Sequence, residues 1–288
     1  MNWIFRILKA VFQRVNERMS VEKNELMAEY LGNLKKYEKL LVYAVKITND
    51  CSGEMMGRDF IASQVYKRLV LSGLTICSML PHGKMNKSNI WDSSSLAILT
   101  RAMMETYNTF FYIGVDEVST EQLNLRISVF NLHWNIEKYN IQKDSFSPED
   151  LCPFEKRMAE EKEALKNNEE FKKLVKELQN KILSGKTALC LSHEEIAVKI
   201  GFVESYFKRM YKLLSNHTHN SPYAFLSESE IRGRGIENER EVGDYAISVE
   251  LLMGYLSMGI IGQVNLMREK IYENNKEGLI FAESIMKG

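Results

Sequence analysis

Residues 251–267 form the longest stretch without a charge, and they limit what this chain can become. Seventeen residues interrupted by Ser257, Gln263 and Asn265 are short and polar for a membrane span. The stretch suits a helix buried in a protein core, and such a helix must be covered by other elements. The remainder of the chain supplies helices to do this. Only four prolines and 16 glycines occur in 288 residues, too few for a turn-rich β protein.

The apolar spacing is helical throughout. Trp3, Ile4, Ile7, Leu8, Val11, Phe12 and Val15 form a stripe, with Arg6, Lys9, Gln13, Arg14 and Arg18 off it. Residues 1–19 therefore read as an amphipathic basic helix that packs on the protein's own body or on a second subunit; an anionic membrane surface is the alternative. A second helix is expected over 20–48, with Leu26, Tyr30, Leu34, Tyr37, Leu41 and Ala44 inward. A third covers 58–79 and stops at Pro81, His82 and Gly83. Asp92 or Ser93 caps a fourth that runs to about Ile113. Ser119 and Gln122 have capping-box spacing for a fifth, and Ser147-Pro148-Glu149-Asp150 starts another. Residues 155–184 are rich in Lys and Glu and read as one or two exposed helices. A short helix ends at Gly201, another runs from Val203 to about His219, 220–238 reads as a loop, and a last long helix covers 240–272. The expected fold is all-α: a multi-helix bundle with residues 20–288 as a single helical domain and 155–184 as its charged peripheral excursion.

Lys plus Arg and Asp plus Glu both number 38, so the formal charge is zero. That disfavours a protein coating nucleic acid or membrane, while leaving a local patch open. Cys51, Cys77, Cys152 and Cys190 are far apart and fit reduced thiols in the cytoplasm. No apolar signal-peptide region precedes them. The phosphate-loop, GxGxxG, HExxH and GxSxG patterns are missing, and the reading implies no cofactor and no metal. His193-Glu194-Glu195 lacks a second His at helical spacing and reads as a helix start. Residues 195–209 are similar to a helix-turn-helix of the arabinose-regulator type, but Met210, Tyr211, Leu213 and Leu214 in the supposed reading helix call for burial.

Two polar stripes stand out. Arg101, Glu105, Asn108 and Tyr112 recur at spacings of four, three and four on an otherwise apolar helix. Tyr211, Ser215 and His219 recur every four residues on another, beside Lys212, Asn216 and His217. Arg101 and Glu105 at i,i+4 suit a structural ion pair. A histidine in the last turn of a helix suits a general acid or base, or a bond to a neighbouring helix.

The stretch from Ser94 to Thr106 and that from Tyr211 to His219 resemble a family of uncharacterised, mostly prokaryotic all-helical proteins with an Arg-x-x-x-Glu helix and a Tyr-x-x-x-Ser-x-x-x-His helix. Tyr66-Lys67-Arg68 also fits, and the resemblance covers about residues 25–270. More distantly, the pairing is similar to the HEPN superfamily, many members of which are metal-independent ribonucleases of toxin–antitoxin and phage-defence systems. The HEPN signature is Arg followed after four to six residues by His. Lys212 occupies that Arg slot ahead of His219. Arg126 and His133 also satisfy the spacing, a match that chance readily produces.

The resemblance implies RNA as substrate and a homodimer or a defence-system protein as partner. The candidate catalytic residues are Arg101, Glu105, Tyr211, Lys212, Ser215 and His219. His219 would be base or acid, Arg101 or Lys212 the cation, Glu105 the group orienting Arg101, and Ser215 and Tyr211 hydrogen-bond donors. The competing expectation is a non-catalytic interaction module whose Arg/Glu/Ser/His network is structural.

Overall fold

The computed structural model describes residues 23–51, 55, 57–219, 221–227 and 235–287. The helix expected over 1–19 lies outside them. Among the described residues there are 12 α-helices and no strand: α1 (Lys23–Asp50), α2 (Gly57–Met79), α3 (Ser93–Phe110), α4 (Thr120–Gln142), α5 (Pro148–Asn167), α6 (Glu169–Lys172), α7 (Lys176–Leu183), α8 (His193–Ile200), α9 (Glu204–Thr218), α10 (Pro222–Ser227), α11 (Glu239–Leu266) and α12 (Arg268–Lys287). The protein is an all-α multi-helix bundle. The helices fall into two compact units: Asp116–Ser192 forms one, and the described residues on either side form the other.

The larger unit is built on α11. This helix is long and apolar enough to cross a membrane by length and composition, but its most apolar window is 78% buried inside the protein. It packs against α1, α2, α3 and α12. The six apolar positions expected to face inward on α1 are all buried. The buried tyrosines there keep their hydroxyls paired, as burial in apolar surroundings requires. Tyr30 donates to the Pro81 carbonyl at 2.7 Å and Tyr37 to that of Gly73 at 3.2 Å. Tyr30, Trp91 and Tyr245 form a ring cluster where α1, α11 and the segment before α3 meet.

Helix starts follow the local signals. Asp92 caps α3 by accepting from the Ser95 amide at 3.0 Å, Ser119 caps α4 and Ser147 caps α5. Several ends differ from expectation. α3 gives way to a π-helical turn, Phe111–Val115, whose Ile113 and Gly114 carbonyls accept from the Arg58 guanidinium. The segment expected as a loop at 220–238 contains α10; residues 220 and 228–234 lie outside the description. The final helix, expected to run unbroken to 272, stops at Met267. There α12 begins and buries Ile271, Asn275, Leu279 and Ala282, packing against α1 and α11.

The smaller unit has a core of its own. Leu125, Val129, Leu132 and Ile136 from α4 pack with Leu165, Phe171 and Ile182. Residues 155–184 thus carry three helices rather than one or two, because Asn168 ends α5 and caps α6 by accepting from the Phe171 amide. Lys–Glu pairs at i,i+3 and i,i+4 line their outer faces. Arg126 is buried in this unit and ion-paired to Asp116 at 2.7 Å, which accounts for it without His133.

Close approach to α11 requires small residues on it. A Cβ on Gly259 would stand 2.6 Å from Cδ2 of Leu69, a side chain with no exposure and no room to yield. Gly259→Val is expected to lower stability by about 1–3 kcal/mol through overpacking. A lower urea midpoint with an unchanged far-ultraviolet helical signal checks this.

Candidate functional site

The site forms where α9 lies against α3, both in the larger unit. Phe207, Met210 and Leu214 give α9 its buried face, spaced at three and four so that they lie on one side. This burial accounts for Met210 and Leu214 of the apolar run in the supposed DNA-reading helix, while Leu213, also expected to need burial, is exposed. On α3, Met103, Met104, Tyr107 and Phe110 turn inward, leaving Arg101 and Glu105 half-buried beside α9.

The two polar stripes meet at Arg101. Its Nε donates to Glu105 Oε1 at 2.9 Å along the same helix. Its Nη2 donates to the Tyr211 hydroxyl at 3.0 Å, and that hydroxyl donates in turn to Glu105 Oε1 at 2.6 Å. The guanidinium also lies over the Tyr211 ring, 4.7 Å from its centroid. Its Nη1 stands 3.3 Å from Nε2 of His219, the residue that closes α9. Arginine has donors only, so Nε2 is the acceptor in this bond. His219 is exposed, so the cluster reaches solvent at that end.

Burial opposes the charge on Arg101, but Tyr211 and Glu105 together outweigh it and hold the guanidinium above its ordinary pKa. Burial, reinforced by the bond to Glu105, raises the Tyr211 phenol above its ordinary 10 against the pull of Arg101. Tyr211 therefore stays protonated at neutral pH and remains a donor to Glu105.

The other expected residues are placed differently. Ser215 donates its hydroxyl to the Tyr211 carbonyl of its own helix, an i−4 bond that turns it from the cluster. Lys212 is exposed, and among the described residues no hydrogen bond or ion pair ties it to the cluster. Asn108 and Tyr112 continue the α3 stripe into the interior. Asn108 is fully buried and donates to the His193 carbonyl at 3.3 Å, because α8 covers that end of α3.

Two histidines outside the expected set border the cluster. His217 is buried on α9, with Nδ1 3.0 Å from Ser94 Oγ. His193 opens α8, and its ring stacks on that of Tyr211, with centroids 6.4 Å apart. Burial lowers the His193 pKa below 6.5; Arg101 adds to this and Glu105 opposes it. His193 shares no spacing with either stripe, so no periodic signal marks it. Among the described residues no group of three or more His, Cys, Asp or Glu is placed to hold a metal ion.

The fold and the cluster define an all-helical protein with an Arg/Glu/Tyr/His network bridging two helices. The chain belongs to a family of unknown function, DUF5677, which matches residues 59–233. That span contains Arg101, Glu105, His193, Tyr211 and His219. No curated protein and no solved structure among those compared matches the chain.

The lowered pKa of His193 has a consequence for stability. The unfolded chain takes up the proton more readily than the folded one, so His193 supports the fold above pH 6.5. That support is lost as pH falls through the folded pKa. His193→Gln is expected to flatten the loss of stability between about pH 7 and pH 5, above the range where ordinary carboxylates titrate. Urea midpoints across that range check it.

Proposed function

We propose that the cluster on α3 and α9 is a metal-independent ribonuclease site, in a toxin or phage-defence effector acting in the cytoplasm. The observation that carries this reading is the 3.3 Å approach of His219 Nε2 to Arg101 Nη1 at the exposed end of the network. It pairs an imidazole nitrogen with a fixed cation, the two kinds of group that metal-free phosphodiester cleavage needs. Glu105 and Tyr211 hold the guanidinium in place.

In this reading a substrate phosphate takes the Arg101 Nη1 donor from His219, which frees the imidazole lone pair. His219 then removes the proton of the 2′-hydroxyl. The 2′-oxygen attacks phosphorus, the bond to the 5′-oxygen breaks, and that oxygen takes a proton from solvent. The products are a 2′,3′-cyclic phosphate and a 5′-hydroxyl. Arg101 offsets the charge that develops on the phosphoryl oxygens. Lys212, exposed on the next position after Tyr211, meets the flanking phosphate backbone. Ser215, bonded within its helix, shapes the last turn of α9. A second copy of the chain is the partner this reading favours.

A second reading has its own supporting observation. Arg101, Glu105 and Tyr211 satisfy one another internally, as a network that only fixes α9 on α3 would. The two readings part at His219. Purified protein incubated with total cellular RNA in EDTA is expected to cleave it. His219→Ala is expected to reduce the rate by about 10²–10⁴-fold, while its stability stays within about 0.5 kcal/mol because the side chain is exposed. Wild-type protein that leaves RNA intact, with Arg101→Ala strongly destabilised, would favour the interaction module.

A further inference from the structure

In the smaller unit, α4 carries a second apolar face that the unit's own core does not use. Its first face packs on α5, α6 and α7 through Leu125, Val129, Leu132 and Ile136. Trp134 follows Leu125 by about two and a half helical turns, so it lies on the opposite side of the helix. It is 63% exposed, and Ile141, on the same side, is 77% exposed. Leu123, Ile127 and Phe130 share that side and are half-buried.

This outer seam has the spacing of a coiled coil. From Leu123 its positions advance by four, three, four, three and four residues to Ile141, the alternation that keeps one line of side chains against a partner helix. One position is charged: Glu137 stands between Trp134 and Ile141. It is exposed and makes no hydrogen bond or ion pair among the described residues. Lys138 beside it lies instead over the Phe154 ring, 5.0 Å from its centroid. A second α4 does not match this pattern. Laid parallel in register, it sets Glu137 against Glu137; laid antiparallel with the seams fully overlapped, it sets Glu137 against Ile127.

Residues 1–19 do match it. They lie outside the described residues, and their sequence reads as an amphipathic basic helix. Ile4, Leu8, Val11 and Val15 advance by four, three and four, and the next step of three beyond that stripe reaches Arg18. Set parallel to the seam, Ile4 meets Leu123 and Leu8 meets Ile127. The smaller Val11 and Val15 meet the bulky Phe130 and Trp134, and Arg18 meets Glu137. As a helix the segment spans roughly 28 Å, against roughly 27 Å from Leu123 to Ile141. We infer that the N-terminal segment of a second copy of this chain docks on the outer seam of α4. Each copy offers one segment and one seam, so a reciprocal exchange closes a two-fold dimer with both seams filled. This docking stands apart from the ribonuclease reading and does not depend on it.

The test is the oligomeric state of the full chain by sedimentation equilibrium without RNA, which keeps its outcome separate from that of the cleavage assay. The wild type is expected to be a dimer. Trp134→Glu is expected to raise the dimer dissociation constant on the order of a hundredfold, the loss of one central anchor. Arg18→Glu and Glu137→Arg are each expected to raise it about tenfold by setting like charges together. The double variant, with the charges exchanged, is expected to recover most of that loss. Unchanged far-ultraviolet spectra check that the variants keep the fold, as substitutions at the exposed Trp134 and Glu137 should. A monomeric wild type, a dimer indifferent to Trp134→Glu, or charge reversals whose effects add instead of cancelling would each overturn the assignment. So would a dimer lost in Trp134→Glu but untouched by Arg18→Glu, which would mean that α4 pairs with itself.

Discussion

The burial of α11 is the constraint on which the larger unit depends. A helix that is apolar on nearly every face cannot be covered from one side, so α1, α2, α3 and α12 all pack against it. That packing fixes the rotation of α3 about its axis. With Met103, Tyr107 and Phe110 turned inward, Arg101 and Glu105 must emerge at the flank of the helix. α9 lies along that flank, and its own buried residues set Tyr211 over the guanidinium. The polar cluster therefore depends on a hydrophobic decision made on the far side of α3.

The cluster holds charge in a half-buried place by mutual pairing. A guanidinium removed from water without partners would be costly. Here Glu105 supplies the counter-charge, and Tyr211 serves both neighbours, accepting from Arg101 and donating to Glu105. The raised pKa values of Arg101 and Tyr211 have different leading causes: Tyr211 and Glu105 hold the proton on Arg101 against burial, whereas burial first, and the bond to Glu105 second, hold the proton on Tyr211. His219 stands apart from this logic. It contributes an acceptor to a cation already neutralised, at an exposed position, so the internal pairing of the network does not require it. His193, buried against the Tyr211 ring, avoids a second positive charge beside Arg101 by staying neutral.

Much of this was legible in the chain, and the limits have physical causes. Helix starts follow side-chain chemistry within four residues, so Asp92, Ser119 and Ser147 are readable as caps. The two stripes are readable because i,i+4 spacing projects residues onto one face. That the stripes meet is a tertiary fact, set by α11 and α9 packing, and no spacing encodes it. Ser215 shares the stripe with Tyr211 but satisfies its hydroxyl on its own backbone. Asn108 continues the stripe of Arg101 but lies under α8, whose position comes from 85 residues further along the chain. The break at Met267 was hidden because apolar periodicity continues through it into α12. The smaller unit was hidden for the opposite reason: its core residues are sparse among Lys and Glu, and they make a core only when α4 is brought to them.

The boundaries of the family match sharpen the relation between core and cluster. Residues 59–233 include nearly all of α2 and the whole of α3, α8 and α9, hence every member of the polar network, but none of α1, α11 or α12. Yet the inward faces of α2 and α3 are complementary to those outer helices. Leu69 sits at the close approach to Gly259, and Phe110 at that to Gly262. Without α11 these side chains would face water, at roughly 1.5–3 kcal/mol for each large apolar group exposed. The matched segment thus holds the cluster's chemistry, while the helices around it supply the burial that positions α3. The polar network can be read as local to two helices; its geometry belongs to the whole of the larger unit.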